Sequence, residues 1–321
     1  MDVITSFFAG QPRALLWGLG GVLGVLTLAV AITTALPVLK PGGDFTNLRQ
    51  RINSWWVMIA LLAAALLLGW IAVLILFVVI SFIGLREYLS LAPARREDRL
   101  ILIVAYLTIP ISYVFVATDD YGMYLVFAPV YVFLLLPFLM ACVGQTRAYL
   151  ATASIFYWGI ITCVYNLGYV ALMMRAHHPE TLPAGAAGLV FMLLVATEAN
   201  DVAQYVWGKL TGRRKIMPKV SPNKTWEGFL GGWATTAVLI WFVGPWFVPL
   251  SGLGLATLAL TLPLAGFAGD VTFSAIKRDL GVKDTSALIP GHGGLLDRVD
   301  SLAFTAPLYF HLVVFFGGRS F

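Results

Sequence analysis

WWVMIALLAAALLLGWIAVLILFVVISFIGL, residues 55 to 85, runs for 31 positions without one ionisable side chain. As a single helix it would be about 46 Å long at 1.5 Å per residue, against a bilayer hydrocarbon core of about 30 Å. Either one strongly tilted helix crosses once, or a tight hairpin broken at Gly69-Trp70 crosses twice. Everything after residue 85 changes sides with that choice, so the architecture turns on it.

The rest of the 321-residue chain is of the same kind. Its apolar fraction is 60% and its charged fraction 12%, and the mean hydropathy is +0.86. A soluble domain could not bury this much apolar surface, so the chain reads as an integral membrane protein. Further apolar runs fall near 14 to 38, 100 to 117, 122 to 143, 148 to 174, 184 to 208, 226 to 249, 252 to 274 and 302 to 317. Backbone polar groups in hydrocarbon must be paired internally, so each run is expected to be helical. The first is longer than a signal-peptide core of about 7–15 residues and reads as a retained span. Cys142 and Cys163 match no metal spacing and read as small buried apolar groups.

Charge placement selects between the two readings of 55 to 85. With a hairpin, segments 39 to 54, 86 to 99, 144 to 147, 209 to 225 and 275 to 301 share one side, and they hold 18 of the 21 Lys and Arg. With a single span that asymmetry weakens. Because basic residues collect on the cytoplasmic side, the expectation is an all-α polytopic protein of about ten spans, nine if 55 to 85 is one. Both termini then lie outside, and the polar site of the C-terminal third faces the cytoplasm. The net charge of +5 follows from this topology, and no basic stripe suggests nucleic acid. The expected segments are 1–54, an extension with one span and an interfacial stretch; 55–183, a scaffold; and 184–321, the part that carries the polar site.

Polar residues enter the membrane boundary in three places. In TEANDVAQYVWGKL, 197 to 210, Thr197, Asp201, Gln204, Tyr205 and Gly208 share a helix face, with Glu198 close by. An acid in a spanning helix costs about 2.5–3.5 kcal/mol and needs a cation, a metal or a wet cavity. In KVSPNKTWEG, 219 to 228, Ser221-Pro222 suits a turn, Asn223 or Thr225 can cap the next helix, and Ser221, Lys224 and backbone N–H groups could attract phosphate. From Asp270 onward, Ser274 and Lys277 lie on one face with that acid. Arg278, Lys283 and Asp284 follow, and Gly291, His292, Gly293 and Gly294 form a stretch too rich in glycine to be helical. Asp297 and Asp300 open the last helix. Acids able to hold Mg²⁺ beside cations and glycine amides are what phosphoryl or nucleotidyl transfer requires. The simpler alternative is a set of mutually neutralising surface pairs.

These residues resemble the phosphatidate cytidylyltransferases, also called CDP-diglyceride synthases. The resemblance rests on S-A-I-K-R at 274 to 278, K-D-T-S at 283 to 286 and L-I-P-G-H-G-G-L-L-D-R-V-D at 288 to 300. Asn200-Asp201 with the Gly-Lys-x-x-Gly-Arg pattern ending at Arg213, and S-P-N-K-T-W-E-G at 221 to 228, extend it. It covers roughly 198 to 301, and only hydropathy continues it before that. It implies a polytopic enzyme joining CTP to phosphatidic acid, giving CDP-diacylglycerol and pyrophosphate, in the bacterial inner membrane. It implies a Mg²⁺-dependent two-cation site, the second cation divalent or monovalent, and a homodimer is a further expectation. Asp270, Asp297 and Asp201 would hold metal. Lys277 and Arg298 would act with Asp270 and Asp297 in catalysis. Ser221, Lys224, Ser274, Arg278, Lys283, Asp284, His292, Gly293 and Gly294 would contact substrate, His292 either bonding a phosphate or capping local backbone. A CTP-dependent lipid kinase and an ion-coupled transporter are the alternatives. About fifty N-terminal residues precede the start of the shorter members. There Arg49, Arg51, Trp55 and Trp56 read as an interfacial anchor or as the mark of a branch with a different lipid.

Overall fold

The computed structural model describes residues 10–39, 45–92, 99–176 and 182–318. Among them, ten helical segments are long and apolar enough to cross a membrane. They are α1 (Arg13–Leu39), α2 (Thr46–Leu68), α3 (Trp70–Leu91), α4 (Arg99–Ala117) and α5 (Tyr121–Cys142), then α6 (Tyr149–Met173), α7 (Gly185–Thr211), α8 (Trp226–Val243), α9 (Gly252–Asp279) and α10 (Leu296–Gly317). Large apolar side chains stay exposed all around them, among them Leu61, Ile71, Ile103, Phe138 and Phe242. Such a belt is at home only in lipid.

The 55–85 run is a hairpin. Gly69 sits at φ +98° between α2 and α3, a conformation that costs an L-residue strain and glycine nothing of the kind. Its N–H caps the Ala65 carbonyl and its own carbonyl accepts from Val73, so one residue ends one helix and starts the next. The two flanks of the run prove the return crossing. Ser54, ahead of it, donates to the Pro290 carbonyl at 2.8 Å, and Glu87, behind it, accepts from the Leu296 amide at 2.8 Å. Pro290 lies in the connection between α9 and α10 and Leu296 opens α10, so residues 54 and 87 lie at the same end of the bundle.

One apolar core runs from Leu15 in α1 to Val313 in α10. The closest helix contact is α7 against α8. There, Gly228 and Gly232 stand one turn apart, and a Cβ on either would come within 2.8 Å of Gln204 backbone. This is the small-residue packing by which membrane helices approach without a hydrophobic driving force. Asn200 secures the same region, donating to the Pro263 carbonyl of α9 at 3.2 Å.

The all-α architecture stands, with one small addition: Lys215–Met217 (β1) and Ser221–Thr225 (β2) pair as an antiparallel hairpin. Two local expectations, the turn at Ser221-Pro222 and the burial of Cys142, are corrected. Ser221-Pro222 therefore opens a strand, and the turn lies ahead of it, closed by Val220 N–H to the Met217 carbonyl. Thr225, not Asn223, caps α8 through Gly228 N–H at 3.1 Å. Cys142 is exposed, and only Cys163 is buried. The hairpin topology predicts that, in a cysteine-free background, a thiol placed at Leu68 reacts with an impermeant maleimide from one side of the membrane. Thiols at Asn47 and Ser90 should react only from the other side. Labelling of Asn47 and Ser90 from opposite faces would restore the single-span reading.

Candidate active site

The site is assembled around the α9–α10 loop, residues 280 to 295, and the loop is held by a buried acid from the first half of the chain. Glu87, near the end of α3 and 7% exposed, takes four hydrogen bonds. Oε1 accepts from the Ser286 hydroxyl at 2.7 Å and the Leu295 amide at 3.0 Å. Oε2 accepts from the Thr285 hydroxyl at 3.1 Å and the Leu296 amide at 2.8 Å. Asp297 grips the loop from inside: Oδ2 accepts from the Thr285 amide at 2.8 Å and the Gly294 amide at 3.0 Å, and shares with Glu87 the one proton of the Thr285 hydroxyl, 3.0 Å away. Its Oδ1 pairs with Lys277 Nζ at 2.7 Å. The glycines fit this crowding. A Cβ on Gly293, at φ +80°, would lie 2.9 Å from Asp297 Oδ2, and one on Gly294 would lie 2.6 Å from Glu87 Oε2. Their close approach is to the protein's own carboxylates.

Two cavities open on either side of Asp201. The larger, about 1110 Å³, lies between the start of α2, the end of α7 and the loop. The smaller, about 630 Å³, lies between α7, the β-hairpin, α8 and α9. Asp201 and Tyr205 line both. Asp201 Oδ2 accepts from the Ser301 hydroxyl at 2.8 Å, while Oδ1 is buried without a partner. Asp201 also lies within electrostatic reach of Asp270, Glu198 and Asp300. An oxygen-rich knot with spare acceptor capacity therefore stands at the junction.

The structure distributes the expected site residues unevenly. Asp297, Arg298, Lys283, Asp284, His292 and Gly293 line the larger cavity. Asp270, Ser221 and Lys224 line the smaller. Asp270 and Asp297 thus open at the same end of the bundle into different cavities, each held by a lysine: Lys224 Nζ reaches Asp270 Oδ2 at 2.7 Å, and Lys277 reaches Asp297. Ser274 supports Asp270, donating to Oδ1 at 3.3 Å. Gly294 lines neither cavity, its amide being spent on Asp297. Arg278 is directed away from both cavities, donating to the Val220 and Val282 carbonyls at 3.3 and 3.4 Å, so it ties the β-hairpin to α9. The first amides of α8 are spent on protein acceptors, Trp226 N–H on Arg214 and Gly228 N–H on Thr225. Ser221 and Lys224 side chains, rather than a helix N-terminus, face the smaller cavity. His292 is held below the usual histidine pKa by burial and then by the positive charges of Arg298 and Arg51, which favours the neutral ring at pH 7.

Sequence reasoning missed Glu87, and it placed the start of α2 in the wrong surroundings. Asn47, Gln50, Arg51 and Trp55 line the larger cavity, which replaces the pure anchor reading for Arg51 and Trp55. The signal for Glu87 was an acid only two residues beyond the longest apolar run; it was read as part of a basic loop. Glu198 and Asp300 also line the larger cavity.

A neutral amide at position 87 can accept at one atom only and turns an N–H₂ toward two of the four donors, each worth about 1–3 kcal/mol when left unsatisfied. Glu87→Gln should therefore speed hydrogen exchange of the Leu295 and Leu296 amides by about 10- to 100-fold, with membrane insertion intact. Unaltered exchange would show that the loop is ordered by something else.

Known proteins resemble this chain along most of its length. The model of the cytidylyltransferase family matches residues 49–316. The uncharacterized protein YnbB of Escherichia coli is 40% identical over 298 residues, 92% of this chain and 97% of that one. A phosphatidate cytidylyltransferase of Synechocystis is 32% identical over 289 residues, 83% of this chain and 96% of that one. Another from Haemophilus influenzae is 37% identical over 153 residues, 45% of this chain and 52% of that one. The site described above lies almost wholly within the matched residues, and the chain belongs to the cytidylyltransferase family of membrane nucleotidyltransferases.

Proposed function

We propose that this enzyme joins CTP to phosphatidate, forming CDP-diacylglycerol and pyrophosphate, at the cytoplasmic face of a bacterial inner membrane. The observation that carries the reading is the position of Asp201 between two polar cavities at the loop end of the bundle. Two polyanions have to meet, and each cavity offers cations: Lys209, Lys215 and Lys224 in the smaller, Lys283 and Arg298 in the larger. The smaller cavity, with its three lysines, suits the triphosphate. The larger one carries Leu48, Ile52 and Ile289 beside its charges, which suits a headgroup with its glycerol.

A phosphate oxygen of phosphatidate attacks the α-phosphorus of CTP. The new P–O bond forms as the bond to the bridging oxygen breaks, and pyrophosphate leaves with that electron pair. No base has to activate the nucleophile, because a phosphate monoester is already anionic at pH 7. The protein's share of the work is to align two like-charged groups and balance their charge.

The residues fit a hard divalent cation such as Mg²⁺. Asp201 offers a buried oxygen without a partner, next to the carboxylate of Asp270. Among the described residues no three His, Cys, Asp or Glu side chains group closely enough to hold a metal by themselves, so a bound Mg²⁺ would take most of its ligands from substrate phosphates and water. Asp201 and Asp270 would hold it. Asp297 Oδ2 already takes three protein donors, so only Oδ1, now on Lys277, is left for a second cation. When bound, the metal neutralises charge developing on the phosphates.

The test is to supply purified protein with CTP, phosphatidate and Mg²⁺ and to measure pyrophosphate together with the CDP-lipid. Both should appear in equal amounts and vanish with EDTA. CDP together with a newly phosphorylated lipid, or neither product from folded protein, would remove this reading. Asp270 is the cleaner position to probe, being 28% exposed against 4% for Asp297, where loss of charge would also strand a buried lysine. Asp270→Asn and Asp201→Asn should each lower kcat by at least about 100-fold, as for loss of a group that balances transition-state charge. Near-normal kcat in either variant would remove that residue from the site.

A further inference from the structure

The start of α2 contributes to the larger cavity in a way the anchor reading does not explain. Arg51 lines that cavity and, among the described residues, forms no ion pair; neither do Lys283 and Arg298. Two more donors or acceptors there are unused: Arg298 Nε and His292 Nδ1 are both buried without partners, and His292 is only 9% exposed. The first turns of α2 are fastened in place. Ser54 donates to the Pro290 carbonyl, and the Trp55 ring meets the His292 ring edge-on at 6.0 Å. Gly291, at φ +75°, packs so closely that a Cβ there would lie 3.0 Å from Arg51 Cγ and 3.2 Å from Arg51 N.

The wall opposite is acidic: Glu198 and Asp201 on α7, and Asp297 and Asp300 on α10, with Asp284 on the loop. Among the described residues, Arg51, Lys283 and Arg298 form no ion pair with these acids, so they are free to take an anion, and a metal ion among the acids would offset the repulsion that anion meets. Arg51 is the one cation supplied by α2, the helix whose exposed Val57, Leu61 and Leu68 face lipid. An anion bound there would sit where a headgroup arrives from the membrane plane.

We propose that Arg51 binds the phosphomonoester headgroup of the lipid substrate and positions it in the larger cavity, with the loop-fastened start of α2 as a specificity-determining wall. This rests on the reaction proposed above. An arginine suits the task because its planar fork can take two phosphate oxygens at once, which lysine, a point charge, cannot.

The experiment measures kcat and KM for each substrate, and binding of dioctanoyl phosphatidate, dioctanoylglycerol and CTP by titration calorimetry. Wild type, Arg51→Ala and Arg51→Lys are compared in the full chain. In Arg51→Ala the KM for phosphatidate and the Kd for dioctanoyl phosphatidate should rise at least tenfold, the KM for CTP staying within twofold. Arg51→Lys should recover part of the loss, and dioctanoylglycerol, lacking the phosphate, should bind all three proteins alike. A matching loss for CTP, or equal phosphatidate affinity in all three proteins, would overturn the proposal. If wild type makes no CDP-lipid yet its phosphatidate affinity depends on Arg51, the reaction is wrong and the assignment of Arg51 stands. If turnover occurs and the affinity is indifferent to Arg51, the reverse holds.

Discussion

Everything at this site depends on a carboxylate that takes no part in the chemistry proposed for it. Glu87 is buried at the end of α3 and accepts four hydrogen bonds from Thr285, Ser286, Leu295 and Leu296. A buried anion is tolerated only if its lone pairs are satisfied, and a loop with little regular structure is ordered only if its amides find acceptors. Each solves the other's problem. Because α3 belongs to the hairpin at Gly69, the same interaction places the start of α2 beside the loop, where Ser54 adds a second tie. The larger cavity exists because those two ties close it.

Two lysine–aspartate pairs stand at the next level. Lys224 comes from the β-hairpin to Asp270 on α9, and Lys277 comes from α9 to Asp297 on α10. Each joins neighbouring elements, so together they link hairpin, α9 and α10 in series. They also leave both acids neutralised, so the cost of bringing charge to the membrane boundary is met during folding. Asp201 differs. It has a hydroxyl from Ser301 and otherwise an empty buried oxygen, so it is the acid with coordination to spare. Phe267 lies under Lys224 at 4.8 Å and limits where its ammonium can turn.

The gross architecture was legible in the sequence because hydropathy and charge asymmetry are strong signals in a membrane protein. A 31-residue apolar run exceeds any upright span, and the basic segments fall on one side only if that run folds back. The stretch proposed to carry the site was legible because its acids and bases are dense within 274 to 300. What the residues could not reveal was partnership across the chain. Glu87 and Thr285 are separated by 198 positions, and no spacing rule links them. Arg278 and Lys277 are adjacent and alike in sequence, yet helix rotation carries one to Asp297 and the other to the Val220 carbonyl. The hairpin was missed for another reason: three and five residues around a proline give too short a pattern for period-two alternation to register.

The glycines teach the same lesson in reverse. Gly291, Gly293 and Gly294 suggested a backbone bared for a ligand, and a loop bared in that way would have to wait for substrate to become ordered. Here the space beside each glycine is already filled, by Arg51, by Asp297 and by Glu87. The loop is therefore set before any phosphate arrives, and the polar groups it leaves unsatisfied, His292 Nδ1 and the neighbouring Arg298 Nε, are held in fixed positions. Preorganisation of this kind is what an electrostatic mechanism needs, since a donor that must be ordered during the reaction returns part of its stabilisation as entropy. The glycines thus serve the chemistry by letting three carboxylate- or guanidinium-bearing elements pack against one turn, and the site's selectivity then resides in side chains that the turn merely holds still.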